Sequence, residues 1–384
     1  MVDSTENDIK LIFANDFKQD TYKILEITKE LADELEEKKK ETKLVFRGLP
    51  DDEAVFCTNN KTFQMKKVQT TNMMLLISPE KENNESNMNI EEIEEKNSPF
   101  HYNINDNIST YYELIKISPK IKKLHMILSD TKYQGPDEED RFEKQKVRFF
   151  TFDDILNEIQ ASEEEIITGL KEYNAINING YWRVLDSNYI QIFIETLLNN
   201  IVIYDLSSEH LPLSKVIELS IEFDFPDFVS THVLESFSDS ILKEEQETYY
   251  TLSKEKITKF LGIQLLASHM PNAFEYNEFM SKWKDIVPED FKVDIDLIKG
   301  FYIEEEATFQ NDKRLLKYFP MTELSHDIKQ RLEELFYAKP KWKDSSLLPY
   351  LQDIESNKKI IDRALIKYAR VSRVGKQIYY TSRF

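Results

Sequence analysis

At 384 residues with a formal net charge of -20, the chain is long enough for two to four domains and too acidic to wrap nucleic acid over its whole surface. Its hydrophobic fraction of 41% suffices for folded cores, yet no run approaches the roughly eighteen consecutive apolar residues of a membrane span. One cysteine, Cys57, excludes an internal disulfide framework and fits a reducing compartment, cytosolic or nuclear. The opening M-V-D-S-T-E-N-D lacks a basic flank and an apolar core, so no signal peptide is expected.

From 9 to 78 the chain is β-rich in short runs, at 10–13, 22–27, 43–47, 54–58, 62–67 and 73–77, with turn signals at Gly48-Leu49-Pro50 and Asn59-Asn60. One predicted helix, 29–40, interrupts them. Strands this short must close on themselves or on a partner, because open edges invite pairing. A β-barrel-like assembly domain over residues 1–148 is therefore expected. The polar stretches 79–99 and 132–146 carry few bulky apolar residues and are expected as disordered loops within it. Between them, 109–117 and 120–128 return to strand-like alternation.

At Phe149 the pattern changes. A helix is predicted over 152–159, Ser162 with Glu165 makes a capping box for a helix reaching Tyr173, and Asn179-Gly180 turns a hairpin into 181–185. With mostly helical residues from 189 to about 240, this gives a first winged helix over 149–250. A second, over 251–323, has helices at 253–268 and 276–286, a short third at 295–299 ended by Gly300, and a wing from 301 to 319. The third, over 324–384, has a helix at 324–338, a break at Pro340 and a short helix at 345–354. Ser356 then caps a helix whose Ile360, Ile361, Ala364, Leu365 and Tyr368 recur at helical spacing. A Gly375 turn and the β-branched, aromatic run 377–381 complete a hairpin over 371–382. The expected fold class is α+β and multidomain, a β-barrel-like domain followed by tandem winged helices.

The final stretch reverses the charge of the chain: Lys358, Lys359, Arg363, Lys367, Arg370, Arg373, Lys376 and Arg383 face one acid, Asp362. On a third helix and wing these side chains would neutralise phosphates, giving salt-dependent, sequence-independent DNA contact. Arg370 and Arg373, at the junction of helix and wing, are the leading pair. A solvated charged face or a nuclear localisation signal is the plainer alternative. The first winged helix, with Asp153, Asp154, Glu163, Glu164 and Glu165, is unsuited to phosphates and is expected to dock protein.

Catalytic patterns are missing. The seven glycines form neither G-x-x-x-x-G-K-[ST] nor G-x-G-x-x-G, and there is no G-x-S-x-G. His101, His125, His210, His232, His269 and His326 are scattered without metal-ligand spacing, and Cys57 has no cysteine companion. The acidic runs 91–95 and 137–140 fall in predicted loops, where solvated charge explains them. Trp182, Trp283 and Trp342 fall on a wing strand, a helix and a loop, and core packing accounts for the first two. No enzyme, cofactor or metal is expected.

The run V-F-C-T-N-N-K-T-F-Q-M-K-K-V-Q-T-T-N-M-M-L-L-I (55–77), Y-Y-T-L-S-K-E-K-I-T-K-F-L (249–261), F-M-S-K-W-K-D-I-V-P (279–288), D-L-I-K-G (296–300) and the terminal I-K-Y-A-R and Y-T-S-R resemble the DCC family of sister-chromatid-cohesion proteins. The resemblance is collinear over nearly the whole chain, apart from the stretches 79–99 and 132–146. It implies a nuclear, non-enzymatic subunit of the alternative, cohesion-linked replication factor C complex, which loads PCNA. In that family the N-terminal β region assembles with a small cohesion subunit and the C-terminal tail of the large clamp-loader subunit. The winged helices are associated with single- or double-stranded DNA and with the catalytic subunit of DNA polymerase epsilon. Partner-binding candidates are Val55, Phe56, Thr62, Phe63, Asn72, Leu75 and Leu76. The core competes for each apolar one, and Thr62 and Asn72 could serve as turn and cap residues. The competing function is a winged-helix protein-interaction scaffold, of ubiquitin-ligase or transcription type, without direct DNA binding.

Overall fold

The computed structural model describes residues 9–37, 42–79, 101–117, 119, 121–305, 314–355 and 357–383. They divide into two compact units, one from residues 1–120 with 156–167 and the other from 121–155 with 168–384. The expected loop 79–99 lies outside the described residues except for Pro79. So do Ser356, the last residues of the predicted helix 29–40, and 306–313 within the expected second wing.

In the first unit β1 (Lys10–Phe13), β2 (Ile24–Glu26), α1 (Lys29–Glu37), β3 (Val45–Arg47), β4 (Val55–Cys57), β5 (Thr62–Pro79) and β6 (His101–Lys116) follow in order. The runs predicted at 62–67 and 73–77 are one long strand, β5, antiparallel to β6 from Phe63 opposite Lys116 to Pro79 opposite Tyr102, with the register shifting between Gln69 and Met74. The sheet order is β1-β6-β5-β4-β3, with β2 also pairing β6, and the sheet does not close into the expected barrel. Its terminal strands are too short: β1 spans 4 residues and β3 spans 3, whereas β5 spans 18. Because β4 pairs β5 only from Thr62 to Gln64, the edge of β5 from 65 to 79 has no strand beside it among the described residues.

The core of this unit is Leu31, Phe56, Phe63 and Leu114, with Leu25, Leu35 and Met65 against it. Buried Asp106 accepts hydrogen bonds from the backbone N–H groups of Asp20 (2.8 Å), Tyr22 (2.7 Å) and Asn107 (2.7 Å), which ties the segment before β2 to β6. Burial pushes this carboxyl up, but the donated N–H groups outweigh it and hold the group below the ordinary aspartate value of 3.8.

The second unit corrects two expectations. Residues 120–128 form not a strand but α2 (Lys122–Ser129), with Ile121, Leu124 and Leu128 buried at helical spacing. The expected loop 132–146 contains α3 (Pro136–Gln145), which has proline at its start and Asp137, Glu138 and Glu139 in its first turn. Proline fits there because its missing N–H would be unsatisfied anyway, and the acids suit the helix dipole. Glu139 of α3 receives both terminal nitrogens of buried Arg183 at 3.0 and 2.9 Å, an ion pair that holds the segment in place.

Next come α4 (Phe152–Glu158), α5 (Glu163–Glu172) and the hairpin β7 (Ala175–Ile178) and β8 (Tyr181–Val184), turned by Asn179 and Gly180 at φ 52° and 91°. Residues 156–167 of α4 and α5 belong to the first unit. There the predicted capping box is present, with Glu165 accepting from the Ser162 N–H at 2.9 Å and donating its own N–H to the Ser162 hydroxyl at 3.3 Å.

One order of elements then recurs three times: helix, short strand, helix, a third helix or helical turn, hairpin. The first repeat is α6 (Ser187–Ile203), β9 (Leu211–Pro212), α7 (Leu213–Ile221), α8 (Asp227–Phe237), β10 (Ser238–Lys243) and β11 (Thr248–Leu252). Residues expected to be simply helical thus end in a hairpin, giving the sheet β10-β11-β9. The second repeat is α9 (Lys254–Ala267), β12 (Phe274–Glu275), α10 (Tyr276–Ile286), a 3-10 turn at Ile295–Ile298, β13 (Tyr302–Glu305) and β14 (Leu315–Tyr318). The third is α11 (Ile328–Ala338), β15 (Lys341–Lys343), α12 (Asp344–Gln352), α13 (Lys358–Tyr368), β16 (Ala369–Val374) and β17 (Gln377–Ser382). Their sheets run β12-β14-β13 and β15-β17-β16. One continuous core joins the first two repeats through Phe193, Val229, Leu261 and Trp283, while a separate one in the third centres on Leu332, Trp342, Tyr350 and Leu365. Trp342 lies on a strand, not in a loop, with its ring N–H donating to the Leu335 carbonyl at 2.9 Å.

Candidate functional site

The basic cluster is built on α13 and the hairpin that follows it. Asn357 caps the helix by accepting from the Lys359 N–H at 3.0 Å, and Ile361, Ala364 and Leu365 bury one face. Helical spacing therefore turns Lys359, Arg363 and Lys367, at i, i+4 and i+8, to the opposite, exposed face. Lys358 and Lys359 sit in the first turn, where the helix dipole opposes cations by roughly 0.3–1 kcal/mol each. Folding gains nothing from that placement; an external anion would.

All eight cations are exposed, and among the described residues none of them forms an ion pair. Lys367 lies 4.9 Å from the Tyr368 ring centre. Arg370 and Arg373 do not form one pair. Three positions apart on β16, they point to opposite faces of the hairpin. Arg370 pairs across with Thr381, which pairs in turn with Lys341, and Tyr379 pairs with Lys343. Arg370, Lys341 and Lys343 therefore share the sheet face opposite buried Trp342 and Tyr380, and the Lys341 ammonium stands 4.5 Å from the Tyr379 ring. Lys341 and Lys343 escaped the sequence reading because 341–343 looks like a loop after Pro340. The signal lay in the alternation K-W-K, a strand with one buried residue.

The residues of the β domain separate into two groups. Val55, Phe56 and Phe63 are buried in the chain's own sheet. Thr62 is also buried, and its hydroxyl donates to Glu165 at 2.5 Å while accepting from the Ser162 N–H at 2.9 Å. Glu165 therefore closes its capping box and also anchors the start of β5, a link across 103 positions invisible in the sequence. Asn72, Leu75 and Leu76 lie on the part of β5 with the open edge, and Asn72 and Leu75 are exposed. Met73 (71% exposed) and Ile77 (44%) join Leu75 on one face, since alternate strand residues share a side.

Several acids expected to dock protein are engaged. Asp154 pairs with Arg148 at 3.0 Å and accepts from Thr151, whose hydroxyl is the leading reason its carboxyl lies below the ordinary range. Glu163 pairs with Lys43 at 3.3 Å. The described residues hold no group of three or more His, Cys, Asp or Glu side chains placed to bind a metal ion. Cys57 is buried, and burial pushes its thiol up, away from the reactive thiolate. No helix among the described residues is long and apolar enough to cross a membrane.

Comparison with known proteins agrees along the chain. The family model of the sister chromatid cohesion protein Dcc1 matches residues 22–351. Sister chromatid cohesion protein DCC1 of Homo sapiens is 30% identical over 347 residues, covering 88% of this chain and 84% of its own length. The Xenopus tropicalis protein of that name is 30% identical over 376 residues, covering 97% and 92%. That of Saccharomyces cerevisiae is 24% identical over 394 residues, covering 94% and 97%. This chain belongs to the Dcc1 family of sister chromatid cohesion proteins.

Proposed function

We propose that the chain is a nuclear, non-enzymatic accessory subunit of a cohesion-linked PCNA loader, joined to its partner subunits through the N-terminal sheet and reaching DNA through the C-terminal module. The observation that carries the assembly reading is the unpaired edge of β5 from 65 to 79, with Met73, Leu75 and Ile77 exposed on one face. A long apolar edge is an aggregation hazard unless a partner strand covers it. Here the partner strands are those of the small cohesion subunit and the tail of the large subunit.

The three recurring helix, strand, helix, hairpin units we assign as winged helices, each with its hairpin as the wing. In the terminal one, α13 and the wing present phosphate-neutralising cations, while DNA polymerase epsilon is the partner of a more acidic unit. Exposed Ile366 and Val374 among the terminal cations favour a second reading, in which this face docks an acidic protein instead of DNA.

The assembly reading is tested by co-expressing the chain with the small subunit and the large-subunit tail. The intact chain should co-purify with both in equal amounts, whereas Leu75→Lys with Ile77→Lys, two charges on the open strand, should weaken assembly by about tenfold or more. Unchanged co-purification of that variant would remove β5 from the interface, and failure of the intact chain to associate would remove the assembly reading.

A further inference from the structure

Helix α6 is apolar on more than one side. Its inner face buries Ile190, Phe193, Ile194 and Leu197, yet Ile192 (56% exposed), Val202 (78%) and Ile203 (70%) point outward. A helix apolar all round is ordinarily covered. Tyr204, and beyond α7 the pair Ile221 and Phe223, extend this exposed surface. The two helices meet along a shallow crevice walled by Phe193, Leu197 and Asn200 on one side and Val216, Leu219 and Ser220 on the other. Lys215, early in α7, lies 5.7 Å from the ring of Tyr204 at the end of α6, so the helices run antiparallel and their exposed apolar ends flank the crevice.

The charge around this surface has one sign. Across 187–226, Glu195, Asp205, Glu209, Glu218, Glu222 and Asp224 stand against one base, Lys215, which pairs with Glu218 at 2.9 Å. Phosphates of nucleic acid or an anionic membrane would be repelled, and a second copy applied face to face would set these acids against themselves. A positively charged apolar ligand fits both features.

We propose that the acid-rimmed apolar face of α6 and α7 docks a basic amphipathic helix of a separate protein, with apolar side chains along the crevice and lysines or arginines toward the flanking acids. This helix-in-groove mode needs apolar anchors at i, i+3, i+4 and i+7. It uses none of the residues assigned to DNA or to the open β5 edge.

The test titrates the full chain with a fluorescent leucine–lysine peptide of about eighteen residues with that spacing, beside a scrambled peptide of equal composition. The patterned peptide should bind about tenfold tighter than the scramble, and Ile203→Ser with Phe223→Ser should remove that advantage without changing the melting curve. Glu222→Gln with Asp224→Asn should weaken binding and flatten its salt dependence. Equal binding of the two peptides would show bulk charge attraction alone and overturn the proposal, as would patterned binding that survives the Ile203 and Phe223 changes. Sedimentation equilibrium in which the intact chain self-associates through this face, and the Ser variant does not, would assign the face to a second copy instead.

Discussion

Replacing Arg331 with methionine is expected to destabilise the terminal module by about 3–5 kcal/mol, the usual cost of removing one partner from a buried ionic network. Arg331 is fully buried on α11. Its Nε donates to the Ser325 carbonyl at 2.6 Å, Nη1 to the Tyr350 carbonyl and to Asp353, both at 2.8 Å, and Nη2 to the Met321 carbonyl at 3.1 Å. One planar fork thus joins the turn before α11 to the end of α12. Tyr350 carries the connection onward, its hydroxyl lying 2.9 Å from the carbonyls of Tyr302 and Phe319. Methionine fills similar volume but leaves these buried acceptors without donors. Lysine cannot replace the fork, because a single ammonium lacks its fixed geometry. Hydrogen exchange should show 321–383 opening ahead of the first two repeats, while Arg363→Met, on the exposed face of α13, should stay within about 0.5 kcal/mol of the parent. Global unfolding of the Arg331 variant with no early loss of the terminal segment would contradict the separate core.

The second large effect is steric. Gly262 lies in α9 directly against Trp283, and a Cβ there would sit under 3.0 Å from the indole, closer than real Cβ atoms approach. Trp283 is fully buried, and its ring N–H donates to the Thr258 carbonyl at 2.9 Å, which fixes α10 against α9. Gly262→Ala is therefore expected to cost about 2–4 kcal/mol in denaturant unfolding, combining overpacking with loss of one buried hydrogen bond. This outweighs the roughly 1 kcal/mol that alanine gains in helix propensity. Trp283→Phe removes the crowded part of the ring, so the double variant should recover part of the loss, a coupling a double-mutant cycle reads directly. Strict additivity would mean that the two residues do not meet.

These contacts mark where the sequence is legible and where it is not. The terminal module is clear because its signals are local: helical spacing of Ile361, Ala364 and Leu365, and Gly375 at φ 61° in the hairpin turn. The box of Ser162 and Glu165 is legible for the same reason. Helix α3 is hidden because P-D-E-E-D-R-F-E-K-Q has no buried residue to set a period, and its support comes from Arg183 beyond its own segment. Helix α2 is mistaken for a strand because its apolar residues fit both periods over so short a run. The barrel expectation fails because closure depends on the lengths of neighbouring strands, a property that alternation within β5 does not encode. Among the site residues, charge alone locates all eight cations, but only the register of β16 shows that Arg370 sides with Lys341 and that Arg373 faces the other way.

The most direct test of the central claim is DNA binding by the full chain across a salt series, beside a variant with Arg363, Lys367 and Arg370 changed to alanine. Phosphate contact predicts that log affinity falls steeply with log salt, equivalent to roughly three to six released counterions, and that the variant loses about three of them on every sequence tested. Undetectable binding, or binding whose salt slope is the same in the variant, would contradict it and give the basic face to a protein partner.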